Sequence, residues 1–263
     1  MKKKIIIISG DPNSINSELI AKSWKKLNSS VKKKIYLISN FKLIKEQFKI
    51  MKYSIPIKKV KDVETDAYSD KLKIVNVDLQ FTKPFSVPTN IASKFVLNSL
   101  DLAHNLGLNK NVSGIINCAI NKSLLGKHKI GVTEYLAAKC NLKNNSEVML
   151  IRNNKFSVCP LTTHINIEDI SKKITRIAII NKVKTINNWY NKCLKKKPRI
   201  GVLGLNPHNA ELRKNSEEKK IIIPSIIKLK KLNININGPL SADTVFINEF
   251  KKFDIILGMY HDQ

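Results

Sequence analysis

Short apolar runs alternate with amphipathic helical segments along almost the whole chain, and this alternation restricts the possible folds most strongly. The apolar runs are short and bounded by turn residues, as buried strands are. Predicted strands cover 5–9, 35–38, 72–77, 114–119, 199–203, 234–236 and 254–257, with a hairpin between 148–151 and 156–159. Predicted helices cover 15–27, 41–48, 92–106, 167–180, 185–194, 216–232 and 243–250. Strand–helix alternation of this kind predicts an α/β protein with mainly parallel sheets.

The chain has 263 residues, which is enough for one large or two medium domains. We predict a first α/β domain over 1–125 and a second over 126–263. Four widely spaced cysteines without a Cys-x-x-Cys pair indicate reduced thiols, mostly in the core, in a cytoplasmic protein. No apolar run approaches the length of a membrane span, so we expect no membrane association.

The formal net charge of +27 raises nucleic acid as a partner, but the kind of basic residue argues against it. Of the 47 basic residues only four are arginines, whereas proteins that read phosphates and bases depend heavily on the bidentate guanidinium. The lysines are spread along the whole chain. We therefore expect no nucleic-acid partner, and a positive field that attracts an anionic substrate.

Three histidines, His164, His208 and His261, each stand just past the end of an apolar run. In open α/β sheets the carboxyl edge of the strands is where ligands bind. Three convergent imidazoles suit a transition metal such as zinc or cobalt, with one coordination position left for substrate. The alternative is that each histidine is a separate residue whose hydrogen bonds are satisfied at its own strand end.

Familiar nucleotide-binding loops are missing from the sequence. No Gly-x-Gly-x-x-Gly occurs, and the stretch from Gly201 to Gly204 lacks the third glycine and the helix directly behind it. There is also no Gly-x-x-x-x-Gly-Lys-Ser/Thr. A standard Rossmann cofactor turn and a P-loop are therefore both unsupported, and a nicotinamide cofactor would have to be held differently.

Several short motifs in one order resemble the 4-hydroxythreonine-4-phosphate dehydrogenases of vitamin B6 biosynthesis. They are Gly10-Asp-Pro12, Ile120-Asn-Lys122, Gly131-Val-Thr-Glu134, Leu161-Thr-Thr-His164, Gly204-Leu-Asn-Pro-His208-Asn-Ala-Glu211, Gly238-Pro-Leu-Ser-Ala-Asp-Thr244 and Met259-Tyr-His-Asp-Gln263. The resemblance runs nearly end to end. It implies two α/β/α domains similar to isocitrate and isopropylmalate dehydrogenases, with a cleft between them. It also implies a homodimer in the cytoplasm, NAD or NADP, and a divalent metal (zinc, cobalt or magnesium) shared between chains.

Carried over by motif, the resemblance assigns the metal to His164, His208 and His261, and substrate contact to Thr133. Asp243 and Lys122 are candidates for proton transfer, although a structural salt bridge explains either of them as well. Tyr260 and Asp262 are expected to orient His261. The neighbouring acids Glu217 and Glu218 are interpreted as first-turn residues of a helix.

One position and one motif depart from the pattern of the family. Val132 stands where the family has a substrate-contacting histidine, and valine can neither donate a hydrogen bond nor carry charge. The family's glycine-rich opening Gly-Asp-Pro-Ala-Gly-Ile-Gly-Pro-Glu becomes Gly10-Asp-Pro-Asn-Ser-Ile-Asn-Ser-Glu18, which limits close backbone approach. The family also continues beyond the equivalent of Gln263, so we expect this chain to be truncated at its C-terminus.

Three functions fit these observations. The resemblance implies metal-dependent oxidation of 4-phosphohydroxy-L-threonine by NAD(P), followed by decarboxylation to 3-amino-2-oxopropyl phosphate, in pyridoxal 5'-phosphate synthesis. Val132 leaves open a dehydrogenase of a phosphorylated sugar acid such as threonate or erythronate 4-phosphate. A catalytically dead metal-binding fragment is the third hypothesis.

Overall fold

The computed structural model describes residues 4–64, 69–128, 131–142 and 146–263, apart from the side chains of residues 127, 128 and 248. The chain divides into two compact units, Met1–Lys139 and Cys140–Gln263. Sheets of mainly parallel strands with crossover helices confirm the predicted α/β class. None of the helices in the described ranges is long and apolar enough to cross a lipid bilayer.

Among its described residues, the first unit holds a five-stranded parallel sheet in the order β3-β4-β2-β1-β5. The strands are Lys4–Ile8 (β1), Ile35–Ser39 (β2), Ile57–Val60 (β3), Leu72–Asn76 (β4) and Val112–Asn117 (β5). The helical segments are Asn16–Lys26 (α1), Ser29–Lys32 (α2), Phe41–Ile50 (α3), Thr89–Gly107 (α4), a 3-10 segment at Lys122–His128, and Val132–Lys139 (α5).

Helices cover both faces of this first sheet. Phe95, Val96 and Leu100 of α4 pack in one apolar cluster with β1 and β2. Trp24 of α1 and Phe48 of α3 pack in a second cluster with β2 and β4. Strand β2 is buried along its whole length, which explains why its sequence is a continuous apolar run rather than an alternating one.

The described part of the second unit, 140–142 and 146–263, holds another five-stranded sheet in the order β6-β7-β10-β8-β9. Its strands are Ile151–Arg152 (β6), Ser157–Pro160 (β7), Ile200–Leu203 (β8), Ile236–Leu240 (β9) and Ile255–Gly258 (β10). Strand β6 runs antiparallel to β7, and the other pairs are parallel. The last strand therefore lies in the middle of the sheet, between β7 and β8.

The helical segments of the second unit cover both faces of its sheet. They are Ile167–Asp169 (3-10), Ile170–Lys173 (α6), Arg176–Trp189 (α7), Tyr190–Leu194 (π), Glu218–Ile222 (π), Ile223–Lys231 (α8), Ala242–Thr244 (α9), Val245–Glu249 (π) and Phe250–Lys252 (3-10). Helices α7 and α8 close the larger core with Val183, Ile226 and Leu229. Val245 and Phe253 pack in the smaller cluster with Leu203 and Ile256.

The boundary between the two compact units lies after Lys139, whereas the predicted domain boundary lies near residue 125. The first unit extends to Lys139 because α5 packs against the first core through Val132 and Tyr135. The hydroxyl of Tyr135 also donates a 2.7 Å hydrogen bond to Asp101 of α4. A helix that is fastened to the first sheet in this way belongs to the first unit.

Several predicted elements were also wrong in their bounds. The predicted helix break between 180 and 185 is absent from α7, and the helix begins instead after Thr175, whose side chain accepts from the Ala178 N–H. Strand β9 extends through Gly238-Pro239, which an edge strand tolerates. Cys159 is buried, but Cys140 and Cys193 are exposed, so the expected core position is wrong for those two cysteines.

Candidate active site

Four adjacent strands of the second sheet carry the candidate residues at one edge. His164 follows β7, His261 follows β10, His208 follows β8 and Asp243 follows β9. Because these strands are parallel neighbours in the order β7-β10-β8-β9, their carboxyl ends meet at the same edge. The central position of β10 brings the last histidine of the chain between the other two loops.

His164 and His261 are neighbours in space. Their ring centroids are 6.1 Å apart and their planes are inclined by 30°. Both line a small cavity of about 160 Å³ together with Thr162, Tyr260 and Asp262. Oδ1 of Asp262 lies 2.8 Å from Nδ1 of His261, so the carboxylate orients that ring and leaves Nε2 for a ligand.

His208 has a different neighbour, Asp243. Its Nδ1 is 3.9 Å from Oδ2 of Asp243, and both side chains are exposed. Among the described residues, no three histidine, cysteine or acidic side chains form a group that could hold a metal ion. The three loops that carry the predicted imidazole ligands therefore lie side by side. Of these three imidazoles within one chain, His164 and His261 are adjacent, and His208 stands apart from them.

The donor chemistry at this edge nevertheless fits a transition metal. The side chains are imidazoles and carboxylates, which are the usual ligands and orienting groups of zinc and cobalt. All three imidazoles are exposed at the edge of the sheet, so a ligand can reach them. Cys159 lies in β7, where burial raises the pKa of its thiol to about 12, which makes a thiolate ligand at that position unfavourable.

The loop that carries His208 has an unusual backbone. His208 has φ +49°, and positive φ values continue through Asn209, Ala210, Glu211 and Leu212. His164 also has φ +52°. Left-handed conformations of non-glycine residues cost about 1–2 kcal/mol each, and they persist where the surroundings determine them. Two of the three candidate ligands are therefore held in conformations that the neighbouring structure must impose.

Glu218 is the main anchor of the His208 loop. Its side chain is fully buried, and its Oε1 accepts 2.8 Å hydrogen bonds from the N–H groups of both Leu205 and Asn206. The side-chain amide of Asn206 donates to Glu218 and also to Glu217. Burial opposes ionisation of Glu218, but the hydrogen bonds from Asn206 and Leu205 outweigh it and lower the pKa of this carboxyl below its usual value.

Sequence reasoning missed this role of Glu218. The acid does stand in the first turn of a helical segment, as predicted, but its carboxylate points back to the loop rather than to solvent. The detectable signal was the spacing, because an acid 12 residues beyond Asn206 in a strand–loop–helix unit can fold back onto the loop. Nothing in the residue type alone distinguished Glu218 from the adjacent, half-buried Glu217.

The His164 loop is fastened to the His261 loop. Oγ1 of Thr162 donates a 2.8 Å hydrogen bond to the carbonyl of Met259, and the Thr162 N–H points to the same oxygen at 3.3 Å. Met259 is itself fully buried. These bonds extend the β7–β10 pairing beyond the strands, and they explain why His164 and His261 remain adjacent.

The candidates from the other motifs, Lys122 and Thr133, belong to the first unit, and both are exposed. Thr133 stands in the first turn of α5. Val132 beside it is half-buried and packs against the first core. The apolar residue at this position therefore contributes to packing, where the resemblance implies a substrate-contacting histidine.

The altered opening motif keeps its loop by a different set of contacts. Gly10 has φ +72°, and a Cβ at this position would lie only 2.5 Å from the carbonyl oxygen of Ala119. Asn16, where the family has glycine, donates to the carbonyls of Ser9 and Ala119 at 2.9 and 2.7 Å. Asn13 exchanges two hydrogen bonds with the main chain of Val87. Side-chain amides thus fasten the turn where glycines are lost.

Comparison with known proteins identifies the family. The profile described as "Pyridoxal phosphate biosynthetic protein PdxA" matches residues 30–263. The chain belongs to this family. It is 34% identical over 269 residues to the 4-hydroxythreonine-4-phosphate dehydrogenase of Sulfurihydrogenibium sp., covering 99% of this chain and 80% of the relative. The family assignment agrees with the resemblance expected from the motifs, and the chain is a dehydrogenase.

Two further relatives widen the comparison. A putative D-threonate 4-phosphate dehydrogenase of Oceanobacillus iheyensis is 31% identical over 276 residues, covering 100% of this chain and 81% of the relative. The crystal structure of a 4-hydroxythreonine-4-phosphate dehydrogenase from Burkholderia phymatum is 28% identical, with a TM-score of 0.87 over 100% of this chain and 81% of that one. The fold is therefore that of the family, while the names of the relatives divide between two substrates.

Proposed function

We propose that this dehydrogenase oxidises 4-phosphohydroxy-L-threonine with NAD or NADP in pyridoxal 5'-phosphate biosynthesis, in the cytoplasm. The observation that carries the proposal is the placement of His164, His261 and His208 after three adjacent parallel strands. Hydride leaves the carbinol carbon for the nicotinamide ring, and the hydroxyl proton is released. The resulting 3-oxo acid loses carbon dioxide and takes up a proton to give 3-amino-2-oxopropyl phosphate.

The residues that would hold a divalent metal (zinc, cobalt or magnesium) are His164, His208 and His261, with the site shared between the two chains of a homodimer. When bound, such a metal would act as a Lewis acid that lowers the pKa of the substrate hydroxyl and stabilises negative charge on its oxygen. Asp243, 3.9 Å from His208, is the first candidate for accepting the hydroxyl proton, and Lys122 is the second. Thr133 would contact the substrate.

The test is turnover and metal content measured together on the same preparations. We expect the parent to bind about one zinc- or cobalt-class ion per site. His208→Ala should lose both the metal and the formation of reduced nicotinamide, whereas His104→Ala, on α4 of the first unit, should keep the metal. A parent that reduces nicotinamide with the substrate but holds no metal would disprove the metal centre and leave the dehydrogenase intact.

A second substrate is favoured by Val132 and by the Oceanobacillus relative. Threonate 4-phosphate has a hydroxyl group where phosphohydroxythreonine has an amine. A polar substrate group left without its partner costs about 1–3 kcal/mol, which corresponds to roughly a 5- to 150-fold change in binding. The ratio of kcat/KM for the two substrates decides between them. Val132→His should raise kcat/KM selectively for 4-phosphohydroxy-L-threonine, the substrate of the family in which the resemblance implies a histidine at this position.

A further inference from the structure

We propose that Gln263 is a positioning residue, whose side-chain amide fixes the His208 loop to the His261 loop. Its Oε1 accepts a 2.6 Å hydrogen bond from the N–H of Met259, and its Nε2 donates a 2.6 Å hydrogen bond to the carbonyl of Gly204. One orientation of the amide satisfies both contacts, because a main-chain donor and a main-chain acceptor face its two ends. This inference rests on the proposed function, since the loops in question carry the candidate metal ligands.

The Gln263 bridge joins two histidine loops that the sheet alone does not join. Beyond the strands, the β10 loop continues with Tyr260 and His261, and the β8 loop begins at Gly204. Gly204 also donates its N–H to Leu240 of β9, and the next two N–H groups bond to Glu218. The hydrogen bond from Gln263 to the Gly204 carbonyl therefore fixes the start of the left-handed turn that carries His208.

The contacts of neighbouring loops complete a chain of ties across the site. Thr162 fastens the His164 loop to Met259, and Gln263 fastens Met259 to Gly204. Asn209 donates a 3.3 Å hydrogen bond to the carbonyl of Pro239 in β9, the strand that precedes Asp243. The two hydrogen bonds of Gln263 are the central contacts in this series of links between loops. Without them, the pairing of β10 with β8, which ends at Leu257 and Val202, would still connect the two strands but would not fix the loops beyond them.

The experiment compares two changes at Gln263 in the full chain. Gln263→Met keeps the length of the side chain but removes both hydrogen bonds. Gln263→Glu keeps an acceptor for Met259 and removes the donor to Gly204. The control is Asn191→Leu, which removes an amide that donates to a helix carbonyl elsewhere in the same unit. Amide hydrogen exchange is followed on peptides that cover 204–212 and 259–263, and the affinity for Co²⁺ is followed by its visible absorption.

We expect Gln263→Met to accelerate exchange in both peptides and to weaken Co²⁺ binding at least tenfold, with a changed absorption band. Gln263→Glu should accelerate exchange mainly in 204–212, and Asn191→Leu in neither. Unchanged exchange of 204–212 in Gln263→Met overturns the proposal, and so does faster exchange with unchanged Co²⁺ affinity. A parent that binds no Co²⁺ refutes the metal centre instead, and the role of Gln263 is then decided by the exchange of 204–212 alone.

Discussion

At the scale of single residues, the position of His208 depends on a carboxylate that does not reach solvent. One carboxylate oxygen of Glu218 accepts hydrogen bonds from the N–H groups of Leu205 and Asn206, which would otherwise bond to water. These N–H groups lie in a loop and so take no part in the main-chain pairing of a strand or helix. Main-chain N–H groups without partners would be costly in such a buried place. The same contact that stabilises the loop therefore determines where the imidazole stands.

We predict that Glu218→Gln lowers the free energy of unfolding by about 1–3 kcal/mol at neutral pH. The amide oxygen can still accept from the Leu205 and Asn206 N–H groups, but the amide nitrogen then faces the Asn206 side-chain amide, which is itself a donor, and the charge is lost from all of these bonds. The measurement is chemical denaturation. The folded-state pKa of Glu218 is lowered, so its contribution is complete above the ordinary glutamate pKa of about 4.3 and is lost as the pH falls through the folded value. Parent and variant should therefore converge in acid.

Glu217→Gln is the matched control for this prediction. Glu217 is adjacent and accepts from the same Asn206 amide, but it touches no main-chain N–H of the His208 loop. We expect its effect on stability to be small. An equal loss in both variants would mean that the acidic pair acts through its charge and not through the loop contacts of Glu218.

The residues that carry chemistry were partly readable from the sequence, and the residues that position them were not. The sequence alone singled out three histidines, because it shows both the residue type and its position after an apolar run: His164, His208 and His261. Glu218 and Gln263 act by contacts with main-chain atoms of distant loops, and glutamate and glutamine are ordinary surface residues in sequence. The role of Gln263 follows only once β10 is known to pair with β8, whereas the role of Glu218 had only its spacing from Asn206 as a signal.

At the scale of elements, the alternation of strands and helices predicted the fold class but not the order of strands. Strand β10 pairs in parallel with both β7 and β8, which are distant from it in sequence. The local periodicity of apolar residues does not predict such long-range pairing. Strand β3 was missed because Lys58 and Lys59 interrupt its apolar residues on an edge strand. The start of α7 depends on one capping threonine, whereas the apolar periodicity runs on across it.

The amino ends of β8 and β10 are joined by Asp254, at the edge opposite the histidines. Its carboxylate accepts from Lys196 at 2.7 Å, from the Arg199 N–H at 2.9 Å and from the Arg199 guanidinium at 3.3 Å. The Asp254 side chain is only 12% exposed. Burial opposes ionisation, but the bonds from Arg199 and Lys196 prevail and lower the pKa of Asp254 to about 2.

We predict that Asp254→Asn destabilises the second unit by about 2 kcal/mol at neutral pH, from the size of this shift. The stabilisation is present above the ordinary aspartate pKa of about 3.9 and is lost as the pH falls towards about 2. Unfolding curves at neutral pH and at about pH 3 provide the measurement. Asp169→Asn, which removes an exposed ion pair with Lys172, is the control and should change little.

At the scale of the whole molecule, the separation of the candidate ligands into two pairs matters most. His164 and His261 face each other, whereas His208 lies with Asp243. In a dimer with twofold symmetry, one chain can supply the first pair and its partner the second. This division is a proposal, and it makes a prediction that does not depend on knowing the metal.

Mixing two inactive variants tests the division directly. A chain with His208→Ala keeps His164 and His261, and a chain with His261→Ala keeps His208. If the pairs come from different chains, each mixed dimer holds one complete site, and random reassortment should restore about a quarter of the parent activity. Mixing His164→Ala with His261→Ala should restore none, because both changes damage the same half of the site. Recovery in that second mixture, or in neither, would show that the ligands are divided differently or that all three come from one chain.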